Sequence, residues 1–314
     1  MISSTILRRV AVGACVLVPL SARAQNSQTA AVFLRLPAST RALALGDVYS
    51  AHGGDEAAIF YNPGQLAGAD TRSAGVSVQR HIQSTALASL AAKFPLGVGV
   101  LGIGIHALDY GSADEVAADP GSGLGSPTGR TVSATDFAAA VGYAVSRGRL
   151  RAGGSLKVVR QQIAGVSGGA GAFDAGVAIA IWSDAGLAFS VNNIGGRITL
   201  SGASAPLPRT ARLGLASPSG KVGPVRMRAV AEVEHERERQ TGIAGGAEAV
   251  WAASNSITLL GRIGASAQHE SAAASLAFGG GLAIRNFALD YAYQSFNALG
   301  VTHRVGIRWW AKRP

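Results

Sequence analysis

Cysteine is all but missing from this sequence: Cys15 is the only one in 314 residues. It falls in a leader-like segment, so the mature chain would hold neither a disulfide nor thiolate chemistry, although the compartment would permit a disulfide. Aromatic residues contribute 6% and charged residues 15%, the latter well below the roughly 25% of soluble globular domains. A large soluble core would have to be built from Ala, Val, Leu and Ile, a composition better suited to a thin wall with apolar solvent on one side. Beyond the leader there is no apolar run of the ~18 residues or more that a helical membrane span requires. Glycine goes the other way, with 42 residues, close to twice its usual share of about 7%.

The first residues read as an export signal. Arg8 and Arg9 form a basic start, residues 10–20 an apolar stretch, and Ala22-Arg23-Ala24 a small-residue cleavage site. Cleavage would leave Gln25 as the N-terminus and lower the formal net charge from +10 to +7 through loss of Arg8, Arg9 and Arg23. The stretch is too short for a transmembrane helix. A lipoprotein box at Cys15 would need a longer apolar run before it, and a twin-arginine signal at Arg8-Arg9 lacks that motif's other residues. A basic balance invites nucleic acid as a partner. In an exported chain the counterparts are instead anionic outer-membrane lipids and lipopolysaccharide phosphates, and no nucleic-acid partner is expected.

From about Thr71 the chain divides into strand-like segments separated by turn signals. Between Val225 and Val233 every odd position is apolar, while the even positions through Glu234 include Arg226, Arg228, Glu232 and Glu234. Side chains on a strand alternate faces, so one face would meet lipid and the other a polar lumen. These four are the candidate lumen charges, guiding a solute or holding a plug; the plainer account is cross-strand pairing in a watery interior. The same alternation recurs at 101–106, 149–158 and 302–309. Strands are expected at 71–82, 84–95, 97–110, 131–146, 149–163, 170–182, 186–195, 207–217, 223–237, 240–252, 255–266, 271–285, 286–296 and 300–311. The second, fourth and sixth connections, at Leu96-Gly97, Arg147-Gly148 and Ser183-Asp184-Ala185, are tight. The odd ones tend to be longer, with 111–130 and 196–206 read as loops. Alternating short and long connections is how outer-membrane barrels distribute periplasmic turns and extracellular loops.

The expectation is therefore an all-β, transmembrane antiparallel β-barrel of about 14 strands in the outer membrane of a Gram-negative cell. Its parts are a signal peptide at 1–24, an N-terminal plug at 25–70 and the barrel at 71–314. Within the plug, 41–44, 48–51 and 56–60 look helical or irregular and end at Asn62-Pro63-Gly64.

Other constellations have bland readings. Residues 97–102 match G-x-G-x-x-G but start a β-patterned run instead of opening a helix. Residues 165–169 match a nucleophile elbow without a strand-to-helix setting and read as a flexible loop. Asp47, His52, Asp55 and Glu56 have donor chemistry for a metal; helix capping and plug hydrogen bonds explain them more simply. Tyr291, Tyr293, Trp309 and Trp310 are expected in an interfacial girdle. For an enzyme reading, which needs a water-activating pair near the extracellular rim, His269-Glu270 in one loop is the adjacent candidate, and it is a poor one. No catalytic, cofactor or metal site is expected.

Several stretches carry a family resemblance: Phe33-Leu34-Arg35-Leu36, then residues 40–51, which read TRALALGDVYSA, then residues 55–63, which read DEAAIFYNP. Val191-Asn192-Asn193-Ile194-Gly195-Gly196, residues 207–214 and the closing Leu289-Asp290-Tyr291-Ala292-Tyr293 and 299–306 add to it. Together and in order these resemble the PorV/PorQ family of outer-membrane proteins. The resemblance implies a barrel like the FadL long-chain fatty-acid transporters, with fourteen strands and an N-terminal plug. It marks Arg41, Gly46, Asp47, Asn62 and Pro63 as the plug's motif residues. It also implies a non-catalytic role in handling exported cargo, as in type IX secretion, or hydrophobic molecules, with secretion components or cargo as partners. A FadL-like channel for hydrophobic solutes is the alternative, and an outer-membrane barrel enzyme a third. Departures are Gly64-Gln65-Leu66, where the family usually reads Ala-Gly-Leu after Asn-Pro, and four residues beyond Trp310.

Overall fold

The computed structural model describes residues 29–312 other than 69–70, 81–84, 119–120, 122–124, 238, 240, 268–274 and 296–299. The leader, with Arg8-Arg9, Cys15 and the cleavage site, and the His269-Glu270 pair lie outside the described residues. In chain order the strands are β1 (Thr71–Arg80), β2 (Ala86–Leu96), β3 (Gly99–Ala118), β4 (Gly125–Arg147), β5 (Leu150–Ile163) and β6 (Val166–Ala180). They continue with β7 (Gly186–Gly195), β8 (Arg197–Leu200), β9 (Ala203–Pro206), β10 (Thr210–Ala216), β11 (Gly220–Val222) and β12 (Val225–Glu236). The last are β13 (Gly242–Ala252), β14 (Ile257–Ala267), β15 (Ser275–Ile284), β16 (Phe287–Ser295) and β17 (Val301–Lys312).

All but β8, β9 and β11 close into a ring of 14 antiparallel strands. β10 bridges β7 and β12, and β17 returns to β1 in register from Thr71↔Lys312 to Arg80↔His303. Closure removes the free edges that an open sheet would leave unpaired. Among the described residues no helix is long and apolar enough to cross a membrane; this says nothing of crossing with strands.

The alternation of the sequence sets the two faces. On β12, Val230 and Glu232 are 6% and 3% exposed while Met227 and Val233 are 44% and 41% exposed. On β17, Thr302 and Arg304 are buried and Val305, Ile307 and Trp309 are exposed. On these strands the inner face is thus mostly polar or small and the outer face apolar, the reverse of a soluble barrel.

Three segments differ from expectation. Residues 111–130, read as a loop, mostly prolong β3 and β4 into a ribbon paired from Ser112↔Ser133 to Ala118↔Gly125. Its backbone groups pair with each other whatever the side chains, and Glu115 accepts from Arg130 and Thr128 at 2.7 and 2.6 Å across it. The loop at 165–169 is instead a two-residue turn, Ala164-Gly165 with φ of 48° and 83°, entering β6 at Val166. Positive φ at both turn residues matches the right-handed twist of a hairpin, so the fifth connection is tight as well. Residues 196–206 hold the hairpin β8–β9, and Ile198 on it is 1% exposed.

Inside the ring lie residues 29–68, built from two short helices, α1 (Thr40–Ala44) and α2 (Ala58–Tyr61), and 3-10 turns at Val32–Arg35 and Pro63–Gly68. Ser39 caps α1 by accepting from the Ala42 amide at 3.4 Å. Helices this short have no stability of their own; the ring holds them. The wall admits them through glycine. A Cβ on Gly264 would stand 2.1 Å from the Leu45 carbonyl carbon, and one on Gly176 would stand 2.0 Å from Asn62 Oδ1. Gly75 of β1, Gly102 of β3, Gly153 of β5, Gly214 of β10, Gly279 of β15 and Gly306 of β17 are likewise seats for the enclosed segment.

Candidate functional site

The enclosed segment and the wall around it form two zones. At the end where β3 and β4 project, the inner face is apolar: Leu87, Leu108 and Val159 meet Ile198 and Leu207 from the β8–β9 region. Phe33 fills the centre, fully buried, and lies stacked on His106 with ring centroids 5.6 Å apart at 16°. Its neighbours are pinned by hydrogen bonds, from the Ala31 amide to Gln161 Oε1 and from the Ala30 amide to the Pro206 carbonyl, both 2.9 Å.

Below this the interior combines apolar packing, of Leu45 and Val48 with Ala178 and Val230 and of Ile59 and Leu66 with Val100 and Ala144, with ionic networks. Arg41 on α1 grips Glu248 of β13 with two parallel bonds, Nε to Oε2 at 2.9 Å and Nη2 to Oε1 at 2.7 Å. Glu248 also accepts from Arg262 Nε at 2.7 Å, and Arg262 reaches Asp290 at 2.5 Å. Arg308 of β17 donates to Asp55 at 2.8 Å. Arg212 of β10 sits between Glu232 at 2.9 Å and Glu234 at 2.8 Å, and Glu232 accepts in turn from the Tyr49 and Ser50 amides at 3.3 and 2.9 Å. Arg304, fully buried, donates to Ser77, Gln79 and Ser89 on the wall and to the Pro37 carbonyl of the segment. Charges in this enclosed space are tolerated through such paired networks, in which, among the described residues, Arg262 Nη2 and Arg308 Nε still lack a hydrogen-bond partner.

Burial shows in the titration of the segment's own groups. Burial, with the Arg41 guanidinium beside it, pushes His52 down to about 4. Arg41 Nη2 faces His52 Nε2 at 2.7 Å, so that nitrogen is an acceptor and its 3.3 Å approach to Glu248 is not a hydrogen bond. Burial pushes Asp47 up to about 7 against the opposing pull of Arg212. Burial and the adjacent Asp55 raise Glu56 to about 7.

The motif residues all lie in the segment's contacts with the wall. Gly46, at φ 74°, ends α1 against β14, where a Cβ would come within 2.8 Å of the Ala265 carbonyl oxygen. Asp47 accepts from Tyr61 Oη at 2.9 Å. Asn62 donates to the carbonyls of Ser50 and Val177, each at 3.1 Å, and accepts from the Gly64 amide. Pro63 packs on Gly153. Of the four strand charges, the structure brings Glu232 and Glu234 together around Arg212. Arg228 is instead held by the carbonyls of Ser217 and Asp184 at the short-turn end, and Arg226 is exposed there.

Among the described residues no cluster of three or more His, Cys, Asp or Glu is arranged to hold a metal. Asp47, His52, Asp55 and Glu56 do not converge on one point, and Asp55 accepts from the Ala57 amide at 3.2 Å near the start of α2. Residues 97–102 form a turn and the start of β3, with Gly102 under Leu66 and no helix following. Trp309, Tyr291 and Tyr293 lie in the outward register of their strands. Trp310 departs from the girdle expected for it: it shares the inward register of Arg304 and Gly306 and lies 5.4 Å from the Arg308 guanidinium. Sequence reasoning did not single out Arg212, Glu248, Arg262, Asp290, Arg304 or Arg308. Their signal is a lone charge at an inner-face position between small residues, as in Gly245-Gly246-Ala247-Glu248.

Two inner cavities, beside Arg41 and Glu56 and beside His106 and Arg212, measure about 40 and 30 Å³. Each has room for little more than a water or two.

The ring resembles solved channels. The toluene transporter TodX of Pseudomonas putida superposes with a TM-score of 0.59 at 14% identity, over 88% of this chain and 98% of that one. A Pseudomonas aeruginosa FadL homologue matches at 0.57 with 11% identity over 87% and 98% of the two chains. The monoaromatic hydrocarbon channel CymD matches at 0.58 with 9% identity over 88% and 97%. At these identities the likeness is one of fold. No family model matches the sequence, and no curated protein does.

Proposed function

We propose that this protein is a non-catalytic outer-membrane channel for hydrophobic small molecules, held shut by residues 29–68 acting as its plug. The observation that carries the reading is the apolar cluster around Phe33 inside the ring, at the end where β3 and β4 project. A lumen that served only water-soluble solutes would have no use for it, whereas an apolar solute would find there its first dry site. The fold shared with hydrocarbon channels and a FadL homologue supports the same reading. The handling of exported cargo that the PorV/PorQ resemblance implies draws no support from these neighbours. An export signal at 1–24 and lipid or lipopolysaccharide around the apolar outer wall belong to the proposal. The test is uptake: cells whose own hydrophobic channels are deleted take up labelled toluene faster when they express this chain, while entry of a sugar is unchanged. Equal toluene uptake with and without the chain would overturn the assignment.

A further inference from the structure

The outer wall is not evenly bulky. Register places three outward rows across β4, β5 and β6: Phe137, Arg160 and Gly169; then Ala139, Val158 and Gly171; then Val141, Leu156 and Phe173. Small residues in the upper two rows leave two depressions of about 630 and 640 Å³ that share Val158 and Gly171. Phe173 and Ile194 bound one end. At the other stand Arg160 and the Ser167 hydroxyl, 3.3 Å apart. The groove runs four residues along β5, about 13 Å at the usual rise per strand residue. Below Arg160 the outward residues of β5 are Val158, Leu156, Gly154, Ala152 and Leu150, all uncharged, so Arg160 marks the headgroup level. Among the described residues no carboxylate forms an ion pair with it. An apolar groove ending on an unpaired guanidinium and a hydroxyl is complementary to an amphiphile with an acyl chain and an anionic oxygen-rich head.

We propose that this groove binds one molecule of lipid A, an acyl chain lying over Val158 and Gly171 and a phosphate on Arg160. The choice of lipid A over a phospholipid follows from the end at which Arg160 lies. It is the end of the projecting β3–β4 ribbon and the longer connections, which outer-membrane barrels turn to the outside. The proposal rests on the membrane placement above and not on the channel reading.

The test uses full-length protein stripped of lipopolysaccharide in detergent and titrated with bisphosphorylated lipid A, bound copies being counted by native mass spectrometry. One copy binds saturably. Arg160→Ala weakens it about fivefold, the effect of one basic side chain at a charged lipid surface, whereas Arg80→Ala, at an exposed position on β1, leaves it unchanged. Gly171→Leu fills the groove and removes the bound copy; a Cβ there meets nothing within 4 Å, so the wall accommodates it, and heat-modifiable gel migration checks folding. Should that variant misfold, Arg160→Ala still decides. Equal lipid A binding by wild type and Arg160→Ala overturns the site. Phosphatidylglycerol binding as tightly as lipid A overturns the choice of lipid. Toluene uptake by Arg160→Ala cells stays at the wild-type rate, so failure here and failure of the channel reading are told apart.

Discussion

Removing Arg41 tests whether the enclosed segment is a separable plug. Its guanidinium makes two bonds to Glu248, approaches Asp55 at 3.5 Å and faces His52. Breaking a buried ion pair typically costs about 3–5 kcal/mol, because a charge is left uncompensated. Here the loss is smaller. After Arg41→Ala, Glu248 keeps Arg262 at 2.7 Å and Asp55 keeps Arg308 at 2.8 Å. About 2–3 kcal/mol is the reasonable cost, which raises the population of the unseated segment roughly 30- to 150-fold at 1.4 kcal/mol per decade. Because the bond spans segment and wall while the strand ladder is untouched, the barrel keeps its heat-modifiable gel shift. Hydrogen exchange at residues 40–51 reads the unseating, and single-channel recordings read the accompanying openings. Arg226→Ala, at an exposed position, is the control. Unchanged protection of those amides, or protection lost equally from the strands, would refute the idea that this ion pair latches a movable element.

Three further outcomes follow from the same contacts. Gly264→Val forces a side chain into the Leu45 backbone and leaves the segment unseated in a folded barrel, seen as protease cleavage between residues 29 and 68 that wild type resists. Phe33→Ala empties the apolar chamber, where loss of a buried phenyl costs about 3–5 kcal/mol, and influx of a hydrophobic dye rises; unchanged influx would remove the chamber from the route. For pH, Glu56 is raised to about 7 in the seated state from 4.5. The seated form therefore holds the extra proton between those values, and its contribution is full below 4.5 and lost as pH rises through 7. Asp47, raised from 3.8 to about 7, acts in the same sense. His52, lowered from 6.5 to about 4, acts in the opposite one, weakening seating as pH falls through that window. Glu56→Gln flattens the loss on the alkaline side, measured by spin-label mobility at the exposed Val32 position from pH 4.5 to 8.

The strands were legible because their signal is local. A period of two along one segment, as from Val225 to Val233, needs no knowledge of any other segment; a soluble sandwich can alternate too, so closure itself shows only in the pairing of β17 with β1. The 111–130 ribbon and the β6 start were missed for the converse reason. Glycine, proline and serine there look like loop, and only the pairing of two such stretches makes them strand. Asn192 and Asn193 show the same limit. They read as a motif, yet the bulge that buries both beside Asp174, with Asn193 at φ 59° accepting from Lys157 at 2.8 Å, comes from a register shift between β6 and β7.

Composition and alternation alone thus pointed to an all-β chain with an apolar outer face, a mostly polar inner one and about 14 strands. The partners of its charges were decided only by the folded ring. Arg41 and Glu248 stand 207 residues apart, and nothing short of strand order and shear brings a residue at that distance within bonding reach. The same is true of the glycines: their abundance is visible in the sequence, but a missing side chain acquires a purpose only when another part of the chain occupies the space it leaves.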